Sequence, residues 1–375
     1  MVLAYGAEGD RRLGVPGEDL GNVFSAREFV GWYNGQPDCA ALPVTLDQEH
    51  AVVIGHGNVA LDIARILLTP VDRLRQTDIA DHALEALAFS RVRNIDVIGR
   101  RGPLQVAFTI KELRELVTLA GVRVVVRGAD RVLATLEASR AAWQRDRARK
   151  RLMELIEKTA RASLADAGEP WEDRQWTLRF QESPLALLPD TAGARVAGVR
   201  LQRTVVDPET GRAEPGEGTV DAPAGLAVRS VGYRSLPVPG VPFDPRHALV
   251  PNVAGRVVAA PAPDAAVIPG LYVSGWLKSG PVGVIASTLG SAHETADAVL
   301  ADFAASEASG AAPAARPGWL ALAERLRAAN VPVVTTRGWQ AIDEAERRLG
   351  RERGIERVKL VSTAAMLQTA HATPP

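Results

Sequence analysis

The sequence predicts an α/β protein built on a parallel sheet, and three observations carry that prediction. AVVIGHGNVALDIARILL, residues 51–68, reads as a strand, a glycine turn and a helix. NIDVIG (94–99) and VRVVVRG (122–128) are further apolar strands, separated by a helical stretch over about 107–119. The chain has 375 residues, 46% apolar and 23% charged, a globular composition with length for two domains or one large one.

The elements follow in order. VLAY at residue 2 is an apolar strand with no earlier partner. It fits an edge strand paired to a later segment, and equally a chain that starts part-way through a fold. FSAREFVGWYNG (24–35) has the spacing of a short amphipathic helix closed by Asn34-Gly35. Residues 37–48 form a polar connector, Thr69-Pro70 ends the helix of the βα unit, and 71–90 is polar with helical pieces. Arg100-Arg101-Gly102-Pro103 stops the second strand. Residues 131–162 alternate charge at helical spacing and contain the basic run RARKR at 147–151. WTLRF (176–180) and ARVAGVRLQRTVV (194–206) have strand character, the second suiting a hairpin arm that ends at Asp207-Pro208.

GRAEPGEGTVDAPAG (211–225) reads as a Gly/Pro-rich turn region. LAVRSVGYRS (226–235) and PGLYVSGW (269–276) are further strands, the latter leading through KSGPVG into a helix over 284–303. An Ala/Ser/Gly/Pro linker spans 304–317. A helix near 319–329, a short VPVVTT strand and a charged helix close the chain.

Composition excludes several classes. Lys plus Arg and Asp plus Glu both number 44, so net charge gives no argument for nucleic acid or a membrane surface. A single cysteine, Cys39, excludes a disulfide framework, a CxxC redox pair and a four-cysteine cluster or zinc site. The six histidines show no metal-ligand spacing, so no metal site is expected. No run approaches the roughly 18 apolar residues of a membrane span. The first residues lack the basic region of a signal peptide. The expected compartment is the cytoplasm.

Gly55, Gly57 and Ala60 form GxGxxA between strand and helix. The first glycine permits the tight turn. The second lets backbone amides approach a pyrophosphate, and Ala60 lets helix and strand pack closely. The helix N-terminus then offers its unpaired N–H groups to an anion. The same spacing also fits a tight turn with no ligand. At the end of the next strand an NAD site places Asp or Glu for the ribose 2′-hydroxyl, whereas this chain has Arg100 and Arg101. Two guanidinium groups suit a 2′-phosphate, hence NADP(H), although two solvated arginines after a strand read the same way. No second GxGxxG follows a strand. GEGTVD (216–221) sits in a polar segment. GPVGVIASTLG (280–290) leads into a helix start where amides could meet a flavin or nicotinamide, or form an ordinary turn.

GHGNVALDIARILLTP, NIDVIGRRGPLQVAFTIKELREL, SVGYRS, GWLKSGPVGVIASTLGSAHET and PGEDLGNVFSAREFVGWYNG together resemble the adrenodoxin reductase family, whose bacterial members are NADPH–ferredoxin reductases. The resemblance is dense over about 2–300 and looser over 318–370. It implies two Rossmann-like dinucleotide-binding domains, one for FAD and one for NADP, and electron transfer from NADPH through FAD to a ferredoxin-type iron–sulfur protein. It implies that His56, Gly57, Asn58 and Val59 hold the NADP pyrophosphate, that Arg100 and Arg101 take the 2′-phosphate, and that Glu112 contacts the same nucleotide. Trp276 is implied to touch FAD, and Gly283, Val284 and Ile285 to lie against the flavin, with Gly283 also meeting the nicotinamide. No protein acid–base residue is implied, because hydride transfer between the two cofactors is their own chemistry.

His56 stands where the family usually has Gln, and Ser279 and Val282 replace a common basic residue and a common Thr. The family also opens with a βα unit and a GxGxxG for FAD, about a hundred residues of which precede the VLAYGA strand. Their absence here implies an FAD domain incomplete at its N-terminus. The expected domains are 1–10 as a remnant of the FAD domain, 11–224 for NADP, and 225–375 as the C-terminal part of the FAD domain. Two readings follow: a shortened reading of a normal reductase, or a chain that binds NADP and is redox-inert. The small-subunit type of glutamate synthase flavoprotein shares the layout. The absence of cysteine clusters and the long GRRGPLQVAFTIKEL match argue against it. Arg147, Arg149, Lys150 and Arg151 form the densest basic run, in a region where the family docks its acidic partner; a solvated helix face fits them too.

Overall fold

A computed structural model describes residues 1–166, 173–283, 285–309 and 318–372. It divides into two compact units, Arg12–Val231 with Val334–Pro375, and Met1–Arg11 with Gly232–Val333.

The first of these is organised by a six-stranded, wholly parallel sheet. Its strands run in the order Val23–Ser25, Leu226–Arg229, His50–Ile54, Asn94–Gly99, Arg174–Phe180, Val122–Arg127. His50–Ile54 is apolar almost throughout because both its faces are covered. Ala51 and Val53 enter the main core with Ala60, Leu61, Ala64 and Leu67 of the helix Asn58–Leu68. Val52 and Ile54 point the other way, into a second core with Leu187, Val199 and Leu201. Those last residues belong to a three-stranded antiparallel sheet of Glu182–Pro189, Val196–Val206 and Ala213–Pro223. The layers are therefore helices, parallel sheet and antiparallel sheet.

The segment 211–225 is thus a strand rather than a turn region. Its glycines and prolines are absorbed by a register shift between Pro215 and Thr219, on an outer strand largely exposed to solvent. The helix expected over 107–119 is shorter, Ile110–Val117, because the Ala107 and Phe108 N–H groups are turned back to the His56 carbonyl. The helix Ala26–Asn34 carries a Ser25/Glu28 capping box and ends on Gly35 in the left-handed region.

The tail departs from its expected elements. VPVVTT forms no strand, and Thr335 instead caps the helix Thr336–Arg353. Glu346, buried on that helix, accepts from the Leu360 N–H at 2.9 Å and from Arg357 at 3.1 Å. Val361 packs beside Gly35, and Lys359 Nζ lies 3.4 Å from Asp78. Residues from Val334 on, and the strand Leu226–Arg229, accordingly group with the parallel-sheet unit.

The other unit holds a four-stranded sheet. Val2–Leu3 lies at its edge, parallel to Val267–Val273, which pairs antiparallel with Arg256–Val258 and through it with Asn252–Val253. The orphan first strand thus pairs with a late segment. Val250, Val257, Val273 and Leu277 form its small core. The helices Trp276–Ser279, Ile285–Ala308 and Gly318–Ala328 complete it. Arg256 fixes the long helix by a bidentate pair with Asp302, which also accepts from the Tyr272 hydroxyl at 3.0 Å.

Candidate dinucleotide site

The GxGxxA turn forms as its spacing predicts. Gly55 has φ +136°, and a Cβ there would lie 2.0 Å from the Ser230 carbonyl oxygen. Glycine is required by both conformation and space. The turn is sewn to its neighbours: Gly55 N–H donates to the Ile98 carbonyl and Ser230 N–H to the Ile54 carbonyl, both at 2.7 Å. Gly57 is the N-cap of the helix and has no side-chain cap. A Cβ built on it meets no atom within 4 Å. Ala60 is fully buried beneath. With no acidic residue in its first turn, the helix presents free N–H groups and the positive end of its dipole.

The His56 side chain does not face the turn. Its imidazole turns inward and Nε2 donates to the Val97 carbonyl at 3.2 Å. Phe180 and Phe108 flank the ring edge-on at 5.0 and 6.1 Å, and Gly99 leaves it room, since a Cβ there would lie 2.3 Å from Nδ1. Burial pushes the imidazole pKa down to about 4, with the Arg101 charge adding to the shift against hydrogen bonds to Val97 and Arg179. The ring is therefore neutral, and only the backbone of this residue belongs to the turn. Its carbonyl accepts from Ala107 N–H at 2.9 Å and Phe108 N–H at 3.1 Å.

Asn58 has a tie of its own, its Oδ1 accepting from Thr109 N–H at 2.8 Å. Thr109 is the N-cap of the helix carrying Glu112, and its hydroxyl donates to the Glu112 carboxylate. The structure thus brings Glu112 to the same end of the sheet as Asn58. Arg100 and Arg101 follow the strand Asn94–Gly99, both exposed. Among the described residues neither guanidinium donates a hydrogen bond to, or forms an ion pair with, another side chain. Thr204 and Ser230, which hold this end of the sheet from behind, carry no signal in the sequence.

In the other unit Trp276 is half-buried and stacked on Tyr233, with ring centroids 5.9 Å apart and 22° between planes. Gly275, Gly280 and Gly283 all have positive φ, so the chain between Trp276 and the helix Ile285–Ala308 turns in conformations other residues resist. Val284 lies outside the described residues, and Ile285 opens the helix. The four basic candidates are exposed on the first turns of the helix Arg147–Ala165, where Asp146 caps the Arg149 N–H at 2.6 Å. Arg149 also donates to the Leu104 carbonyl, and Lys150 lies 3.9 Å from Glu154. No group of three or more potential metal ligands occurs among the described residues. No described helix is long and apolar enough to cross a membrane.

Comparison with known proteins adds relatives at high identity. No family model matches the chain. The mitochondrial NADPH:adrenodoxin oxidoreductase of Salvelinus fontinalis is 44% identical over 383 residues, spanning 99% of this chain and 73% of that protein. The NADPH-ferredoxin reductase FprA of Mycobacterium tuberculosis is 39% identical over 373 residues, spanning 98% and 77%. Among solved structures, Mycobacterium tuberculosis FprA in complex with NADPH superposes with a TM-score of 0.87 at 38% identity, over 99% of this chain and 78% of that one.

Proposed function

This chain belongs to the NADPH:adrenodoxin oxidoreductase family, and on that premise we propose that it takes electrons from NADPH and passes them through FAD to a ferredoxin-type iron–sulfur protein. The observation that carries the reading is the pairing of a helix without a side-chain cap behind Gly57 with two exposed arginines that have no side-chain partner among the described residues at the next strand end. A pyrophosphate is met by the N–H groups at Gly57, Asn58 and Val59. Arg100 and Arg101 take the 2′-phosphate in charge-assisted hydrogen bonds, which an NAD ribose cannot repay. Glu112, held by Thr109, faces the same nucleotide.

The residues toward FAD fit its ring end. Trp276 and Tyr233 offer a paired aromatic surface, and the glycine turn before the helix Ile285–Ala308 lets backbone come close to a flat ring. That helix has no acidic residue in its first turn, so its N-terminal dipole favours negative charge nearby. FAD, when bound, supplies the exchange between a two-electron hydride donor and a one-electron acceptor. The chain's own part is placement and electrostatics, with no side chain required to move a proton.

For the acidic iron–sulfur partner, Arg147, Arg149, Lys150 and Arg151 form the docking patch. Cations in the first turns of a helix oppose its dipole, at about 0.3–1 kcal/mol each, so the helix itself does not favour them there. The compartment we propose is the cytosol.

The test is a visible spectrum of the purified chain after excess FAD and desalting. A retained, perturbed flavin band that NADPH bleaches supports the reading. NADP binding with no retained flavin assigns the chain nucleotide binding alone.

A further inference from the structure

We propose that Thr204 is a positioning residue that sets the preference of this site for a 2′-phosphorylated nucleotide; the proposal rests on the reading of Arg100 and Arg101 given above. Both arginines lie past the end of the strand Asn94–Gly99, where ladder hydrogen bonds no longer hold the chain. Neither side chain has a fixed partner among the described residues, so what the fold fixes is the backbone from which each guanidinium reaches out. That backbone is held from behind by two donors. The Thr204 hydroxyl donates to the Arg100 carbonyl at 2.6 Å, and the Gln181 N–H donates to the Arg101 carbonyl at 3.2 Å.

The two anchors are one assembly. Thr204 N–H donates to the Gln181 carbonyl at 2.9 Å. Gln181 is the single residue between the strands Arg174–Phe180 and Glu182–Pro189, and it sits at φ +55°, an uncommon conformation for a side chain of its size. Its corner is braced by Arg179, 1% exposed, which reaches Asp96 and Glu182 at 2.6 Å each. A buried charge cluster therefore fixes the corner, the corner fixes Thr204, and Thr204 fixes the arginine loop. Thr204 is itself buried in the middle strand of the antiparallel sheet. Strand propensity and packing there are served equally by valine. The hydroxyl is what packing leaves over, and the Arg100 carbonyl is where it goes.

The experiment is titration calorimetry of the full chain with adenosine 2′,5′-bisphosphate and with AMP, which needs neither flavin nor turnover. Losing the hydroxyl in Thr204→Val should weaken the bisphosphate about fivefold to tenfold, the scale of one net hydrogen bond, and leave AMP within about twofold. Thr204→Ser should bind both as the parent does. Equal weakening for both ligands, or no change for either, overturns the proposal. If melting shows Thr204→Val unfolded, Thr204→Ala removes the same hydroxyl with less bulk and is judged by the same criteria. Arg100→Ala separates the two levels. If it keeps the preference, the loop reading fails and the proposal with it. If it loses the preference while Thr204→Val keeps it, the positioning role alone fails.

Discussion

Gly55 and Gly57 stand two residues apart in one turn, and alanine at each should have opposite consequences. At Gly55 the added Cβ would lie 2.0 Å from the Ser230 oxygen and 2.8 Å from its carbonyl carbon, on a backbone at φ +136°. Conformational strain costs about 1–3 kcal/mol and overpacking against fixed backbone about another 1–3 kcal/mol. The sum, roughly 2–6 kcal/mol, is a large part of a typical domain stability of about 5–15 kcal/mol. At Gly57 the backbone is extended, at φ −106° and ψ 171°, and the Cβ meets nothing within 4 Å. The fold should change by less than about 1 kcal/mol. The methyl group would stand where a pyrophosphate must approach the helix amides, and loss of one charge-assisted hydrogen bond is about 1.5–3 kcal/mol, or about 10–100-fold in affinity. Urea denaturation and NADP+ calorimetry on both variants read the two effects separately. A Gly57→Ala chain that binds NADP+ like the parent, or is destabilised as much as Gly55→Ala, refutes the assignment of the turn.

Three further expectations follow from other parts of the structure. His56 has a folded pKa of about 4 against an ordinary 6.5, so between those values the unfolded chain binds more protons. Stability should hold above pH 6.5 and decline as pH falls toward 4, by up to about 3 kcal/mol; His56→Gln should flatten that slope in melting temperatures across the same window, and an unchanged slope would count against a buried neutral ring. Reversing Arg147 and Arg151 to Glu should raise KM for ferredoxin and weaken its salt dependence while sparing NADPH–ferricyanide activity, and equal loss of both activities would reject the docking patch. Arg179→Met should lower the urea midpoint by the equivalent of about 3–5 kcal/mol, because it strands Asp96 and Glu182 without their cation; a change under about 1 kcal/mol would show that the cluster contributes little.

The parts of this protein that were legible in its sequence are those whose cause is local. The strand Asn94–Gly99 and the helix Asn58–Leu68 announce themselves because apolar periodicity and glycine chemistry act over a few residues. The same holds for the Gly35 cap. Ala213–Pro223 did not, since its glycines and prolines look like a turn until the ladder from Val196–Val206 and the register shift are known. The tail was misread for the same reason. VPVVTT has strand composition but no partner strand among the described residues, and the contacts of Val361 with Gly35 and of Lys359 with Asp78 that seat the tail are visible only in three dimensions. In the site, the glycine turn was legible as geometry and the arginine pair as the residues that end the next strand. The inward turn of the His56 ring was not, because it depends on the space left by Gly99. Thr204 was silent, a threonine in a strand being unremarked by any local rule.

The His56 carbonyl, described above as accepting from both Ala107 and Phe108, has a consequence for how a nucleotide arrives. A peptide whose oxygen is already engaged twice cannot rotate to greet a ligand, so the Gly57 N–H keeps one direction whether or not anything is there. The freedom a looser turn would lose at each encounter is surrendered here once, when the chain folds. The expectation is that loading at this turn, followed by stopped flow, has a rate that rises with nucleotide concentration without a plateau; a plateau would show that the turn rearranges first.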